Sequence, residues 1–194
     1  MAKPAFDMES AAAGLAAVVA GITDDDLRSG TPCADTAVRD LLAHVVGFTE
    51  AFRQAATKEA VGRSAPPAVG AAASLADDWR TRIPAQLKAL VAAWRDPAAW
   101  DGDTEAGGVT APAAELAVFA LDELVIHGWD LACATGQPYA PAEEDLTVLM
   151  AMLERTPPEG VPGLFGPTVP VPDDAPLWHR VLGRTGRDPS LSAT

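Results

Sequence analysis

The sequence predicts an all-α protein, a single up-and-down helical bundle. Two observations carry this. Apolar residues recur at helical spacing in five segments separated by clusters of Gly and Pro. The composition is 48% hydrophobic with alanine abundant and aromatics at only 6%, a balance that suits helices packed closely through small side chains better than a β-sandwich. At 194 residues the chain fits one domain with a sizeable apolar core.

The first helix is read from about Asp7 to Ile22, with Ala11, Leu15, Val18, Val19 and Ile22 on one face. A loop with Gly30, Thr31 and Pro32 follows, and Thr36 offers an N-cap for a second helix reaching about Thr57. Its apolar positions are Val38, Leu41, Leu42, Val45, Phe48 and Phe52. Residues 61–70 read as a connection, after which Leu75, Trp79, Ile83, Leu87, Leu90, Val91 and Trp94 mark a third helix, expected to kink at Pro84. Residues 96–111 read as a longer loop. Pro112 then opens a fourth helix in a favoured first-turn position, and Gly136 with Pro138 ends it. A fifth helix is expected from Ala142 to Arg155. Seven prolines between Thr156 and Pro176 exclude helix there and favour an extended segment on the bundle surface, with a short final helix around Leu177 to Leu182.

A net charge of −13 repels phosphate backbones and anionic lipid headgroups, so nucleic acid and membranes are not expected partners. The apolar run Ala11 to Ile22 is too short to span a bilayer and is preceded by Asp7 and Glu9 where a signal peptide carries basic residues. Two cysteines, Cys33 and Cys133, form no disulfide framework and no CxxC motif, and a cytoplasmic protein is expected.

The chemistry concentrates in the fourth helix. Glu123 and His127 stand four residues apart, hence one turn apart on one face, and they interrupt the apolar stripe of Leu116, Phe119, Ala120, Leu124 and Leu131. A carboxylate taken out of water costs on the order of several kcal/mol unless a cation or strong donors compensate, so Glu123 demands a partner. In the second helix His44 lies on an apolar edge between Leu41 and Phe48. Facing helices of a bundle can join such groups into a metal site, and two imidazoles with one carboxylate leave a coordination position open, as in catalytic zinc or non-haem iron centres. Spacing alone leaves a plain ion pair or hydrogen-bonded core histidines open. Asp130, three residues beyond His127, is a candidate to hydrogen-bond that histidine from behind, or else to be solvated near the helix end.

At these residues the sequence resembles the DinB/YfiT-like superfamily of metal-binding four-helix bundles, in the branch of the mycothiol-dependent maleylpyruvate isomerase N-terminal domain. The phrases that carry the resemblance are TPCADTAVRDLLAHVVG at 31–47, ELVIHGWDLACATGQP at 123–138, FGPTVPVPDDAP at 165–176 and GRDP at 186–189. It implies a four-helix bundle with an additional helix and a Pro-rich C-terminal tail, divided as a metal-binding domain at 1–155 and an extension packing on it at 156–194. It implies His44, Glu123 and His127 as ligands of a divalent metal, zinc first, with Ni2+ or Fe2+ as alternatives. The activity implied is that of a thiol-dependent transferase or isomerase with mycothiol as co-substrate, a small electrophile as second substrate, and a homodimer as the assembly. The isomerase itself carries a further C-terminal domain contributing to its active site, which the tail here is too short to replace. The other expectation is a non-catalytic metal- or small-ligand-binding module.

The remaining candidates have structural readings. Trp129 is read as packing, Cys133 as a small buried hydrophobe, Cys33 as structural and His179 as exposed. DGDTEAGG at 101–108 superficially suggests a calcium loop, but Ala106 replaces the required glycine and Pro112 the closing glutamate. No GxSxG, phosphate-loop or GxGxxG motif occurs, so a serine hydrolase or nucleotide enzyme has no support.

Overall fold

Four of the expected helices close on one apolar core. The computed structural model describes residues 4–65 and 74–191, so the expected connection at 61–70 lies partly outside the described residues. The helices are α1 (Glu9–Gly21), α2 (Val38–Ala56), α3 (Trp79–Trp94), α4 (Ala113–Ala134), α5 (Glu143–Leu153) and α6 (Leu177–Arg184). Both α1 and α2 pack against α3 and α4, so the order around the core is α1, α4, α2, α3. The carriers of His44 and of Glu123 with His127 are therefore neighbours. Helix α4 is buried almost all round, with Leu116, Ala120, Leu121, Leu124 and Val125 in the core, as expected of the helix that every other layer covers.

Helix α2 begins differently from expectation. Its N-cap position is Ala37 and no side chain caps it. The Thr36 hydroxyl instead donates to the Ala34 carbonyl at 3.0 Å, while the Thr36 carbonyl accepts from the Thr31 amide at 3.0 Å. The loop thus closes on itself, and the Val38 amide reaches the Ser29 carbonyl at 2.9 Å. The third helix starts at Trp79, leaving the half-buried Leu75 before it, and runs on through Pro84. Pro112 occupies the N-cap of α4, one residue earlier than its expected first-turn place, and Gly136 follows the helix with φ +64°.

Residues 96–111 are not an irregular loop. A 3-10 turn at Pro97–Trp100 leads into an antiparallel hairpin of β1 (Asp103–Ala106) and β2 (Val109–Pro112). Its two-residue connection, Gly107 and Gly108, has φ +59° and +80°, the left-handed geometry that lets a tight turn follow the natural twist of the strands. Thr104 and Ala106 turn inward, and the Thr104 hydroxyl donates to the Ala55 carbonyl at 2.6 Å, satisfying one of the orphan acceptors at the end of α2.

Among the described residues, the proline-rich stretch 156–176 holds neither helix nor strand, only an isolated bridge between Val161 and Phe165. It is tied down nonetheless. The Val169 amide donates to Gly183 of α6 at 2.9 Å, and a Cβ on Gly183 would stand 2.5 Å from Val171 Cγ2, so only glycine admits this approach. Arg184 donates to the carbonyls of Leu153 and Thr156, capping α5. Trp178 of α6 meets Trp129 of α4 edge to face at 6.4 Å. His179, expected on the surface, is half-buried in this packing.

Two packing features give testable consequences. The Tyr139 ring lies in a groove cut by two glycines, Gly14 of α1 and Gly128 of α4. A Cβ at Gly128 would fall 2.5, 2.8 and 2.9 Å from Tyr139 Oη, Cζ and Cε2, whereas at Gly14 the nearest Tyr139 atom is 3.4 Å away. Gly128→Ala should destabilise by about 1–3 kcal/mol through overpacking, while Gly14→Ala should be neutral or stabilising through helix propensity. Chemical denaturation of the two variants checks the contrast.

Asp145, in the first turn of α5, is buried with Oδ2 lacking a partner. Burial, and then the carboxylates of Glu144 and Asp7, push its pKa from 3.8 up to about 6. An acid whose folded pKa is raised retains its proton where the unfolded chain has lost it, so stability falls as pH rises from about 4 to 6. Asp145→Asn should therefore raise stability at pH 7–8 by on the order of 2 kcal/mol, and the gain should vanish below pH ~4. Thermal unfolding at both pH values measures it.

Candidate metal centre

The helical repeat puts Glu123 and His127 one above the other on α4, and the packing of α2 beside α4 brings His44 to the same point. His44 Nε2 lies 2.9 Å and His127 Nε2 3.1 Å from a single oxygen, Glu123 Oε2. One ligand atom from each residue lies within 4.8 Å of the others. The two imidazole rings stand 5.1 Å apart at 89°, and Phe48 supports the edge of His44 at 5.5 Å. The trio is not sealed: the side chains of His44, Glu123 and His127 retain 25%, 24% and 13% of their exposure, so one side of the cluster meets solvent.

The electrostatics reinforce the clustering. Burial by itself would raise the Glu123 carboxyl, but the charge of His127 and hydrogen bonds from both imidazoles outweigh it and hold the group well below the usual carboxylate range. Burial would likewise lower His127, but Glu123 and Asp130 overcome it and lift its pKa to about 10. Asp130 is fully buried and accepts from His127 Nδ1 at 2.9 Å, so of its two expected fates the structure takes the hydrogen-bonded one. Burial opposes ionisation of Asp130 as well, yet the bond from His127 and the charge of Arg187 keep its pKa low.

Three neighbours were not anticipated. Arg187 grips both Asp130 oxygens, Nη2 to Oδ2 at 2.8 Å and Nε to Oδ1 at 3.3 Å. Its residue number places it in the tail, and only the matching phrase GRDP pointed there. Cys33, read as structural, lies with its sulfur within 4.8 Å of ligand atoms of both His127 and Asp130. That second grouping is poor as a metal site, because Asp130 is already engaged by Arg187 and by His127. Asp122 is buried with Oδ1 unpartnered, and burial together with Glu123 lifts its pKa to about 7, partly offset by Arg187 and His127. Its helix is apolar all round, so a carboxylate beside Glu123 carried no periodic signal. Cys133 is half-buried, and Trp129 is a buried packing residue.

A cluster of two imidazole nitrogens and a carboxylate oxygen fits a divalent metal. Tetrahedral zinc with bonds of ~2.1 Å sets neighbouring ligand atoms ~3.4 Å apart, close to the spacings about Glu123 Oε2. The set is of the kind that leaves a position open on the solvent side.

Fold and cluster together define a helical bundle of the DinB-like superfamily with a His-Glu-His group between neighbouring helices. Residues 8–132 match the family described as mycothiol maleylpyruvate isomerase N-terminal domain, and the chain belongs to that family. Among solved structures it is similar to a mycothiol-dependent maleylpyruvate isomerase, with TM-score 0.58 and 20% identity over 75% of this chain and 66% of that one. A histidine-to-alanine mutant of such an isomerase aligns equally well, at TM-score 0.58 and 19% identity with the same coverage. The chain thus spans just under two thirds of these relatives' length. No curated protein matches the chain by sequence. Among the described residues, no helix is long and apolar enough to cross a membrane.

Proposed function

We propose that the chain binds one divalent metal, zinc by preference, through His44, Glu123 and His127, and uses it to activate a low-molecular-weight thiol toward a small electrophile. The observation that carries the proposal is the convergence of two imidazole Nε2 atoms on one carboxylate oxygen, at 2.9 and 3.1 Å, with one side open to solvent. A dication held by three protein ligands lowers the pKa of a thiol that takes the remaining position. The protein's own groups supply the rest. Glu123 brings the negative charge, Asp130 holds the Nδ1 proton of His127 so that Nε2 faces the cluster, and Phe48 limits rotation of His44. Membership of the mycothiol maleylpyruvate isomerase N-terminal domain family, and the likeness to a mycothiol-dependent isomerase, support mycothiol as the thiol. The arginine-rich, lysine-poor composition, 11 against 3, fits a GC-rich genome of the kind found in the actinobacteria that make it.

A second reading rests on the same geometry. Two imidazole N–H groups already satisfy Glu123, so the trio could fix α2 to α4 as an ion-paired cluster in a module without turnover. Elemental analysis separates the two. Purified wild type should hold about one equivalent of zinc, nickel or iron, and His127→Ala or His44→Ala should lose most of it. Equal and negligible metal in wild type and variants rejects the proposal. Where metal is held, consumption of electrophiles that requires both added mycothiol and the metal supports an enzyme, and a flat response across thiols supports the module.

A further inference from the structure

The tail reaches the cluster through one side chain. Arg187 follows α6 by three residues, and its amide donates to the Leu182 carbonyl at 2.9 Å, which seats the guanidinium against the core. It is 9% exposed, and it is held at both ends: Nη1 donates to the Thr185 carbonyl at 2.9 Å while Nε and Nη2 fork onto Asp130. Asp130 has no exposure at all, and it shares the oxygen taken by Arg187 Nη2 with His127 Nδ1.

A carboxylate this deeply buried holds its charge only with a fixed cation beside it. The charge in turn is what makes Asp130 an acceptor, and an acceptor at 2.9 Å from Nδ1 fixes both the plane of the His127 ring and the atom that carries its proton. The fork geometry matters. A guanidinium engages both carboxylate oxygens at once and stops the carboxylate rotating, which an ammonium point charge does not do.

We propose that Arg187 is a positioning residue of the cluster: from the C-terminal tail it fixes Asp130, and through Asp130 it orients His127 so that Nε2 faces Glu123 and His44. The inference rests on the metal-binding reading for its effect on affinity, but not for the orientation of the ring. The tail is then part of the site, because Arg187 is, among the described residues, the guanidinium that forks onto both Asp130 oxygens.

Arg187→Lys and Arg187→Gln, compared with wild type and with Asp130→Asn, test this in the full chain. Zinc affinity is read by competition with a chromogenic chelator, and circular dichroism reports folding. Loss of a partner behind a metal-bound histidine weakens binding by roughly 10–100-fold, and that loss is expected for Arg187→Gln, with Arg187→Lys retaining only part of the affinity. In an Asp130→Asn background, Arg187→Gln should add little, because both act through one contact. The second readout is the His127 Nδ1–H signal in 15N-resolved spectra of metal-stripped protein. It should be shifted downfield and slow to exchange in wild type, and should lose both properties in the variants. Wild-type zinc affinity in a folded Arg187→Gln protein overturns the inference, as does an unaltered Nδ1–H signal. Where wild type binds no zinc, the metal reading fails by itself, and the Nδ1–H signal still decides whether Arg187 orients the ring. Should Arg187→Gln not fold, Arg187→Lys carries the same two measurements.

Discussion

An anionic side chain set inside a helical bundle constrains everything built around it. Glu123 projects from α4 between α2 and the solvent, and burial alone would push its pKa up. Its charge survives because α2 delivers one imidazole and the next turn of α4 another, both to the same oxygen. The requirement fixes the azimuth of α4 and its separation from α2, since a rotation of either helix by one residue, about 100°, would strand the carboxylate. The hydrophobic core supplies the cohesion, with Leu41, Val45, Leu121 and Leu124 fully or nearly fully buried on either side of the trio. Apolar packing says how close the helices come, and the charges say in which register.

The polar groups form a line in which nitrogen-bearing side chains alternate with carboxylates: Arg187, Asp130, His127, Glu123 and then His44. Asp130, with no exposure, is the deepest member, and stripping it of its partners is the kind of change that costs about 3–5 kcal/mol in comparable cases. Asp122 stands beside the line without joining it. It avoids the penalty by the other available route, with a pKa near 7 that keeps it largely protonated in slightly acidic solution. A buried and a half-buried carboxylate on adjacent residues thus meet opposite fates, Glu123 with imidazoles touching it and Asp122 with one oxygen unpartnered.

Much of the bundle was legible because helices announce themselves through a repeat. The stripes ending at Phe52, Trp94, Leu131 and Leu153 each gave their helix to within a few residues, and the four-residue step from Glu123 to His127 put two of the three clustered groups on one face by geometry alone. What was not legible is short or distant. The strands of the hairpin have four residues each, too few for alternation to register, and their Gly107–Gly108 turn has the composition of any loop. Thr36 has the right chemistry for a cap but spends it on the loop that carries Cys33. Arg187 lies 57 residues from Asp130, and nothing local marks one arginine in a polar tail as buried. Only the tertiary fold assigns it.

The tail therefore deserves to be weighed with the bundle and not as an appendage. Its prolines forbid helix and sheet, so stretch 156–176 satisfies part of its backbone in turns of its own, such as Val161 with Phe165 and Thr168 with Pro158, and borrows other partners from α6: Gly183 for Val169, and Arg184 for Thr156 and the open end of α5. These bonds seat α6 against α4 through Trp178 and Trp129, and α6 in turn carries Arg187 to Asp130. A segment without regular structure thus sets the position of a charge that a regular helix needs. Because the same guanidinium neutralises Asp130 and braces the ring of His127, folding of the tail and order in the cluster are one equilibrium. Anything that pulls the tail from the bundle loosens a histidine whose other nitrogen faces Glu123.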